Sequence, residues 1–119
     1  MEVIAMDRAS GVVVLALTVT EKLTGPARFI MEPLLSAILT DIAALALRAT
    51  LGSQQWLSLT NLNLQYLKPM GIGPLAGHGQ VVRRDGDCAI LHASLTDSAG
   101  DSVAAATASA TVTRLNSGE

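Results

Sequence analysis

The sequence of 119 residues is poor in several residue types on which whole classes of function depend. It has one phenylalanine, one tryptophan, one tyrosine and one cysteine. The single cysteine, Cys88, excludes an internal disulfide and a cysteine zinc site, and it is typical of a protein from a reducing compartment. The only histidines are His78 and His92, so a zinc site built on imidazoles is not expected either. We therefore predict no metal, no cofactor and a cytoplasmic location.

Charge is also scarce. Charged residues make up 15% of the chain, and the net charge is -2. The largest basic run is Arg83-Arg84, which excludes nucleic acid as the main partner. The first eleven residues lack the basic and apolar segments of an export signal. The apolar run within 34–47 is shorter than the ~20 residues of a bilayer span, so we expect no membrane partner.

Apolar residues, in contrast, make up half of the sequence, and they are concentrated in Glu32 to Thr50, EPLLSAILTDIAALALRAT. This stretch predicts one long helix, with Pro33 in the first turn, where a missing N–H costs nothing, and Gly52 just beyond the end. A helix that is apolar nearly all round must be wrapped by other structure. An ionised carboxylate within such a wrapping is costly unless it is paired, hydrated or used. Asp41, in the middle of the helix, is therefore the first candidate for chemistry.

The rest of the chain has the period-two pattern of strands. One strand is predicted before the helix and four antiparallel strands after it: 12–20, 56–67, 75–84, 88–96 and 102–114. The last of these, SVAAATASATVTR, has small side chains on both faces, so we expect the helix to pack closely against it. The prediction is a single α+β domain over 1–119, in which a curved sheet of about five strands wraps one central helix. A partner subunit or a ligand is expected to cover the remaining apolar surface of the helix.

Three pieces of the sequence resemble the phenylacetate-degradation (PaaI-like) branch of the hotdog thioesterase superfamily. They are Asp41 within the helix, LTNLNLQYLKP at 59–69, and QVVRRDGDCAILHASLTDSAGDSVAAATASATV at 80–112. The resemblance implies a hotdog fold and a homodimer, or a dimer of dimers, joined edge to edge into one continuous sheet. It also implies active sites at the dimer interface and an acyl-CoA-type thioester as the substrate.

The resemblance further implies that Asp41 is the catalytic carboxylate, acting as nucleophile or as general base. A backbone N–H at the start of the helix would hold the oxyanion, as the free amides there favour negative charge. The family's helix usually opens with His-Gly-Gly, but this chain has Glu32, Pro33 and Leu34. Because Pro33 has no N–H, the amide of Leu34 is the predicted donor. Glu32 is a lesser catalytic candidate, since nine helical residues separate it from Asp41 by ~13 Å of rise.

The predicted substrate-binding residues come from four places in the chain. Phe29 precedes the helix and is a candidate for lining an acyl tunnel, and Pro33 follows it. Leu59 stands where the family often has a Ser or Thr that positions the reacting water, and Asn63 lies on the same strand. Arg83 and Arg84 are candidates for contacts with CoA phosphates, although a solvated hairpin end explains them equally well.

Two other functions stay open at this point. The first is a hotdog module that binds an acyl or aromatic ligand, or only assembles, without turnover. In that case Asp41 would belong to a solvated strip with Arg48. The discriminating feature is whether the Leu34 amide points at the Asp41 carboxylate across a pocket. The second, a hydratase or dehydratase, ranks last because the helix contains no histidine to partner the carboxylate.

Overall fold

The structure is a computed structural model that describes residues 1–115, and in it one helix packs against one antiparallel sheet. The helix, α1, spans Glu32–Arg48, and a short 3₁₀ turn, Glu21–Leu23, precedes it. The strands are β1 Glu2–Asp7, β2 Val12–Val19, β3 Gln55–Tyr66, β4 Gly73–Asp85, β5 Cys88–Asp97 and β6 Ser102–Arg114. The predicted helix and the five predicted strands are confirmed to within about two residues at most of their ends.

The sheet has six strands in the order β1-β2-β4-β5-β6-β3, rather than the predicted five. The additional strand is β1, which pairs with β2 from Glu2↔Ala16 to Asp7↔Val12. Five of its six residues are exposed, so buried and exposed residues do not alternate along this strand. Backbone pairing with β2 forms this strand, and hydrophobic patterning did not reveal it.

The helix buries one side against the sheet and leaves the other open. Its buried residues recur at the helical period: Leu35, Leu39, Ile42, Ala43, Ala46 and Leu47. The helix contacts β6, whose inward alanines are buried, but it packs more extensively against β4 and β5 than against the predicted β6. The approach to β4 is close: a Cβ added at Gly77 or Gly79 would lie 2.9 or 2.8 Å from Ile42. No helix in residues 1–115 is long and apolar enough to cross a bilayer.

Strand β3 forms one border of the sheet within the described residues. Its alternation is confirmed: Leu62 and Leu64 pair with the buried alanines of β6, whereas Asn63 pairs with the exposed Thr107. Although Leu62 faces the helix side of the sheet, 37% of its surface is exposed, and Tyr66 is 46% exposed. The helix does not extend over this border, so apolar side chains on the concave face remain uncovered in a single chain.

An ion-pair network joins the end of β3 to the β5–β6 turn. The Lys68 Nζ donates to Asp97 Oδ2 at 2.6 Å and to Asp101 Oδ2 at 3.3 Å. Asp97 Oδ1 accepts the amides of Ala99 and Asp101, both at 3.0 Å. The bond from Lys68, followed by the Asp101 amide, lowers the pKa of Asp97. The bonds to Asp97 and Asp101 raise the pKa of Lys68.

We expect Asp97→Ala to lower the thermal midpoint at pH 7 by several degrees. Because the pKa of Asp97 is lower in the folded protein than in the unfolded chain, the ionised carboxylate stabilises the folded protein at pH values above the unfolded pKa. This stabilisation is lost as the pH falls through the folded pKa. The difference from wild type should therefore shrink as the pH falls below the ordinary range of an aspartate carboxyl, because protonation of Asp97 removes the stabilisation. Thermal melts monitored by circular dichroism measure this. Asp101→Ala is the matched control and should have a smaller effect, because it leaves the shorter Lys68 bond and the Asp101 amide intact. A difference that does not change with pH would contradict the assignment.

Candidate active site

Asp41 lies at the rim of an apolar groove between α1 and β2, which we call the Asp41 groove. Its volume is about 340 Å³. One wall is a helix face at the i, i+3, i+4, i+7 spacing, and the other walls come from β2 and the segment before the helix. The apolar lining residues are Met1, Leu17, Leu23, Ile30, Leu34, Ala37 and Ile38. A carboxylate at the mouth of an apolar groove is thus present within a single chain.

The Asp41 carboxylate makes no hydrogen bond or salt bridge with any residue of 1–115. The neighbouring helix hydroxyls are satisfied locally: Ser36 donates to the Pro33 carbonyl at 2.8 Å, and Thr40 to that of Ser36 at 2.7 Å. Arg48, which the solvated-strip reading placed beside Asp41, lies over the Trp56 ring at 5.1 Å from its centroid. Asp41 therefore stands exposed at the groove with both oxygens available.

A second groove, of about 480 Å³, opens at the other side of the helix start and is called the helix-start groove. Its lining includes Pro26, Phe29, Met31, Glu32, Tyr66 and Leu67. A tight turn presents Phe29 here: the Gly25 amide donates to the Phe29 carbonyl at 3.1 Å, and Arg28 takes a left-handed φ of 66°. Because a non-glycine residue adopts that φ at a cost, the surrounding turn must hold it in place.

The amides at the helix start differ in availability. The Leu34 N–H donates to the Met31 carbonyl at 3.0 Å, within the first turn. It does not point across a pocket at the Asp41 carboxylate of its own chain. Pro33, which is exposed in the first turn, has no N–H. The Glu32 N–H makes no hydrogen bond within 1–115, so Glu32 supplies the free amide of this turn.

Solved structures with this architecture establish the fold. A phenylacetic acid degradation-related protein of Ralstonia eutropha JMP134 is 29% identical, with a TM-score of 0.85 over 92% of this chain and 82% of its own. The chain has a hotdog fold, similar to that of the PaaI-like proteins. Escherichia coli PaaI, from the phenylacetic acid degradation operon, is 17% identical, with a TM-score of 0.84 over 97% of this chain and 79% of its own.

A Streptococcus mutans hotdog structure bound to acetyl-CoA is 19% identical, with a TM-score of 0.86 over 97% of this chain and 90% of its own. Other matched structures are named thioesterases. No protein-family model matches the sequence, and no curated protein matches it significantly. The similarity to the hotdog proteins is therefore carried by the structure, together with the moderate identity to the Ralstonia protein.

The hotdog sheet separates one predicted substrate-binding residue, Asn63, from Asp41, but it does not separate Leu59. Leu59 pairs with Ala110 on the helix side of the sheet and is half-buried. Asn63 lies on the outer face, where it lines a shallow depression with His92 and Thr107. The sheet thus stands between Asn63 and the Asp41 groove, and the structure does not bring Asn63 to the site.

Arg83 and Arg84 lie near the hairpin at the far end of the molecule from the helix start. With Ser10 and Thr50 they line a third groove, of about 310 Å³, beside the end of the hotdog helix. The Arg83 guanidinium is 3.8 Å from Asp85 Oδ2, and Arg84 Nε donates to the Gly86 carbonyl at 2.8 Å. Within one chain, neither arginine shares a groove with Asp41.

The β2 side of the Asp41 groove is not evident from the sequence. Leu17 shares a strand face with Val13, Leu15 and Val19, which are buried, but Leu17 itself is only half-buried. The alternation marked this face as core, and nothing in the sequence indicates that the helix leaves a gap above Leu17. The available signal was Thr18, an exposed polar residue at the end of an apolar strand, which also lines the groove.

Proposed function

We propose that this protein is a thioesterase that hydrolyses an acyl-CoA or a related acyl thioester, with Asp41 as nucleophile or general base. The observation that carries the proposal is an unpartnered carboxylate at the rim of an aliphatic groove in a hotdog fold. The acetyl-CoA bound to the Streptococcus mutans structure supports the choice of carrier. The cytoplasmic location stays a prediction.

We propose that the working unit is a homodimer that pairs two β3 borders. Along one helix, Asp41 lies ~13 Å from Glu32, too far for both to act on one carbonyl. An antiparallel second helix would place the Asp41 of one protomer beside the helix start of the other. The uncovered Leu62 and Tyr66 on the concave face at this border support such a pairing. Pairing of two dimers remains a further prediction.

In the general-base form of the reaction, the Asp41 carboxylate takes a proton from water as the water oxygen attacks the thioester carbon. The carbonyl oxygen becomes an oxyanion, which a backbone N–H stabilises. The carbon–sulfur bond then breaks, and the CoA thiolate leaves and is protonated. In the nucleophilic form, Asp41 attacks the carbon itself, and water hydrolyses the resulting anhydride.

We propose the amide of Glu32, in place of the predicted Leu34 amide, as the oxyanion donor. The Leu34 N–H is engaged with Met31, whereas the Glu32 N–H has no partner within residues 1–115, and Glu32 is among the residues that line the helix-start groove. The side chain of Glu32 then has no required role. Phe29, which lines the helix-start groove, and Pro33, which does not, remain candidates for contact with the substrate. Arg83 and Arg84 remain candidates for contact with the CoA phosphates.

The test is thiol release from a panel of acyl-CoAs by wild type, Glu32→Pro and Glu32→Ala. Proline removes both the N–H donor and the carboxylate at a first-turn position that tolerates it, whereas alanine removes the carboxylate alone. Met31 already has the extended φ and ψ, -76° and 143°, that a residue before proline adopts. We expect kcat to fall about 10²-fold in Glu32→Pro and to stay within about threefold in Glu32→Ala. Equal rates for the two variants would remove this amide from the mechanism.

The second candidate function is a hotdog module that binds an acyl thioester without turnover. The proline in the first turn and the engaged Leu34 amide favour it, since both reduce the donors available to an oxyanion. Wild-type protein that binds acyl-CoA but releases no thiol from any member of the panel would establish this function and overturn the thioesterase proposal.

A further inference from the structure

The shape and lining of the Asp41 groove bear on the acyl group, an inference that rests on the proposed function. The helix wall runs from Leu34 through Ala37 and Ile38 to Asp41, seven residues, or ~10 Å of helix. The helix wall of the groove is therefore long enough to lie beside an extended chain of several carbons. Its polar side chains, Asp41 and Thr18, are exposed, and its other lining residues are apolar and not aromatic.

We propose that the Asp41 groove binds an unbranched aliphatic acyl chain of up to about eight carbons, with the thioester carbonyl at Asp41. An extended chain of that length spans ~10 Å, at about 1.3 Å of advance per bond. The groove volume of about 340 Å³ also suffices, since a methylene needs about the space of a water, roughly 30 Å³.

An aromatic acyl group would gain less from this groove. Rings gain energy beyond area burial when they stack on other rings, and no aromatic side chain lines the groove. The aromatic residues Phe29 and Tyr66 line the helix-start groove instead. The two grooves therefore predict opposite acyl preferences, which allows an experiment to distinguish them.

Leu17 sets the depth of the groove on the sheet side. It lies on the inward face of β2 and is half-buried because the groove opens above it. Leu17→Phe would fill the groove from below without entering the closed core. Ala16→Phe is the matched control, because it adds a ring to the adjacent residue, on the opposite face of the same strand.

The experiment measures the affinity of S-alkyl-CoA thioethers, which cannot be hydrolysed, with alkyl chains of two to twelve carbons. We expect Kd to fall up to about fourfold per methylene until about eight carbons and then to level off. For Leu17→Phe, the Kd should level off by about four carbons. This variant should bind the octyl thioether at least about tenfold more weakly than wild type does and should retain the wild-type affinity for the ethyl thioether. Ala16→Phe should follow the wild-type profile.

Three results would overturn the inference. The first is a wild-type affinity that is independent of alkyl length, and the second is a dependence of affinity on alkyl length in Leu17→Phe that equals that of wild type. The third is a phenylethyl-CoA thioether that binds more tightly than the octyl thioether, with an affinity that depends on Phe29. The first is also expected if a second copy of the chain fills the groove. Thiol release is scored separately. Binding that depends on alkyl length without thiol release would reject the thioesterase proposal and support acyl binding in the Asp41 groove. Thiol release with binding that does not depend on alkyl length would support the thioesterase proposal and reject acyl binding in this groove.

Discussion

Asp41→Asn is expected to reduce kcat for acyl-CoA hydrolysis by about 10³-fold, which is within the range for loss of a general base or nucleophile. The amide has nearly the same shape as the carboxylate but cannot accept the proton or attack the carbonyl. Because Asp41 makes no hydrogen bond or salt bridge within the described residues, the substitution breaks no contact. The thermal midpoint should therefore be unchanged, and this separates lost chemistry from lost folding. Hydrolysis by Asp41→Asn at the wild-type rate would falsify the mechanism.

Mixing two inactive variants tests whether each site draws on two protomers. If Asp41 of one protomer faces the Glu32 amide of the other, a heterodimer of Asp41→Asn and Glu32→Pro contains one intact site. Random exchange of equal amounts makes half of the dimers mixed, which restores about a quarter of the wild-type activity. A site built within one protomer would show no recovery after exchange. The mixture should be compared with each variant alone at the same total concentration.

Gly79→Ala is expected to lower the free energy of unfolding by about 3 kcal/mol, at the upper end of the usual cost of overpacking. The added Cβ would lie 2.8 Å from both Cγ2 and the carbonyl oxygen of Ile42, so the helix backbone itself must move. For a chain of this size the thermal midpoint should fall by roughly 12 °C. Gly52→Ala is the control, because its new Cβ would meet only Gln55 Oε1 at 3.7 Å.

A double-mutant cycle distinguishes backbone crowding at Gly79 from side-chain crowding at Gly77. The Cβ at Gly77 would lie 2.9 Å from Ile42 Cδ1, an atom that valine lacks. Ile42→Val should therefore recover part of the stability lost in Gly77→Ala. The same substitution should not rescue Gly79→Ala, because the carbonyl oxygen remains. Equal rescue at both positions would show that the helix backbone does not limit the approach to β4.

The sequence predicted those features that depend on local patterns. The alternation in 56–67 predicted β3 and its two faces, and the small residues of 102–114 predicted β6 with the observed bounds. Pro33 marked the first turn of the helix, where the structure places it. A carboxylate is unusual in so apolar a helix, which makes Asp41 the candidate. The structure places it at the rim of a groove but exposed, and not within the enclosure that the apolar helix predicts.

Features that depend on how distant segments meet were not predicted. Gly77 and Gly79 are ordinary strand glycines in the sequence, and only the position of Ile42 above them shows why a side chain cannot fit there. The freedom of the Glu32 amide depends on how the chain approaches the helix through Met31, which the residue types do not specify. The groove above Leu17 likewise depends on where the helix stops covering β2.

The border strand β3 has twelve residues, none of them charged and none a proline. Monomeric proteins usually protect such a strand with lysine, proline or a covering loop, because exposed amides and carbonyls recruit any extended chain. In the proposed homodimer, a protomer released from its partner would therefore be prone to aggregate by adding foreign strands. On this view the second copy protects the β3 border from aggregation and also contributes to catalysis. A relative that had lost all turnover would still need a second copy to cover that border.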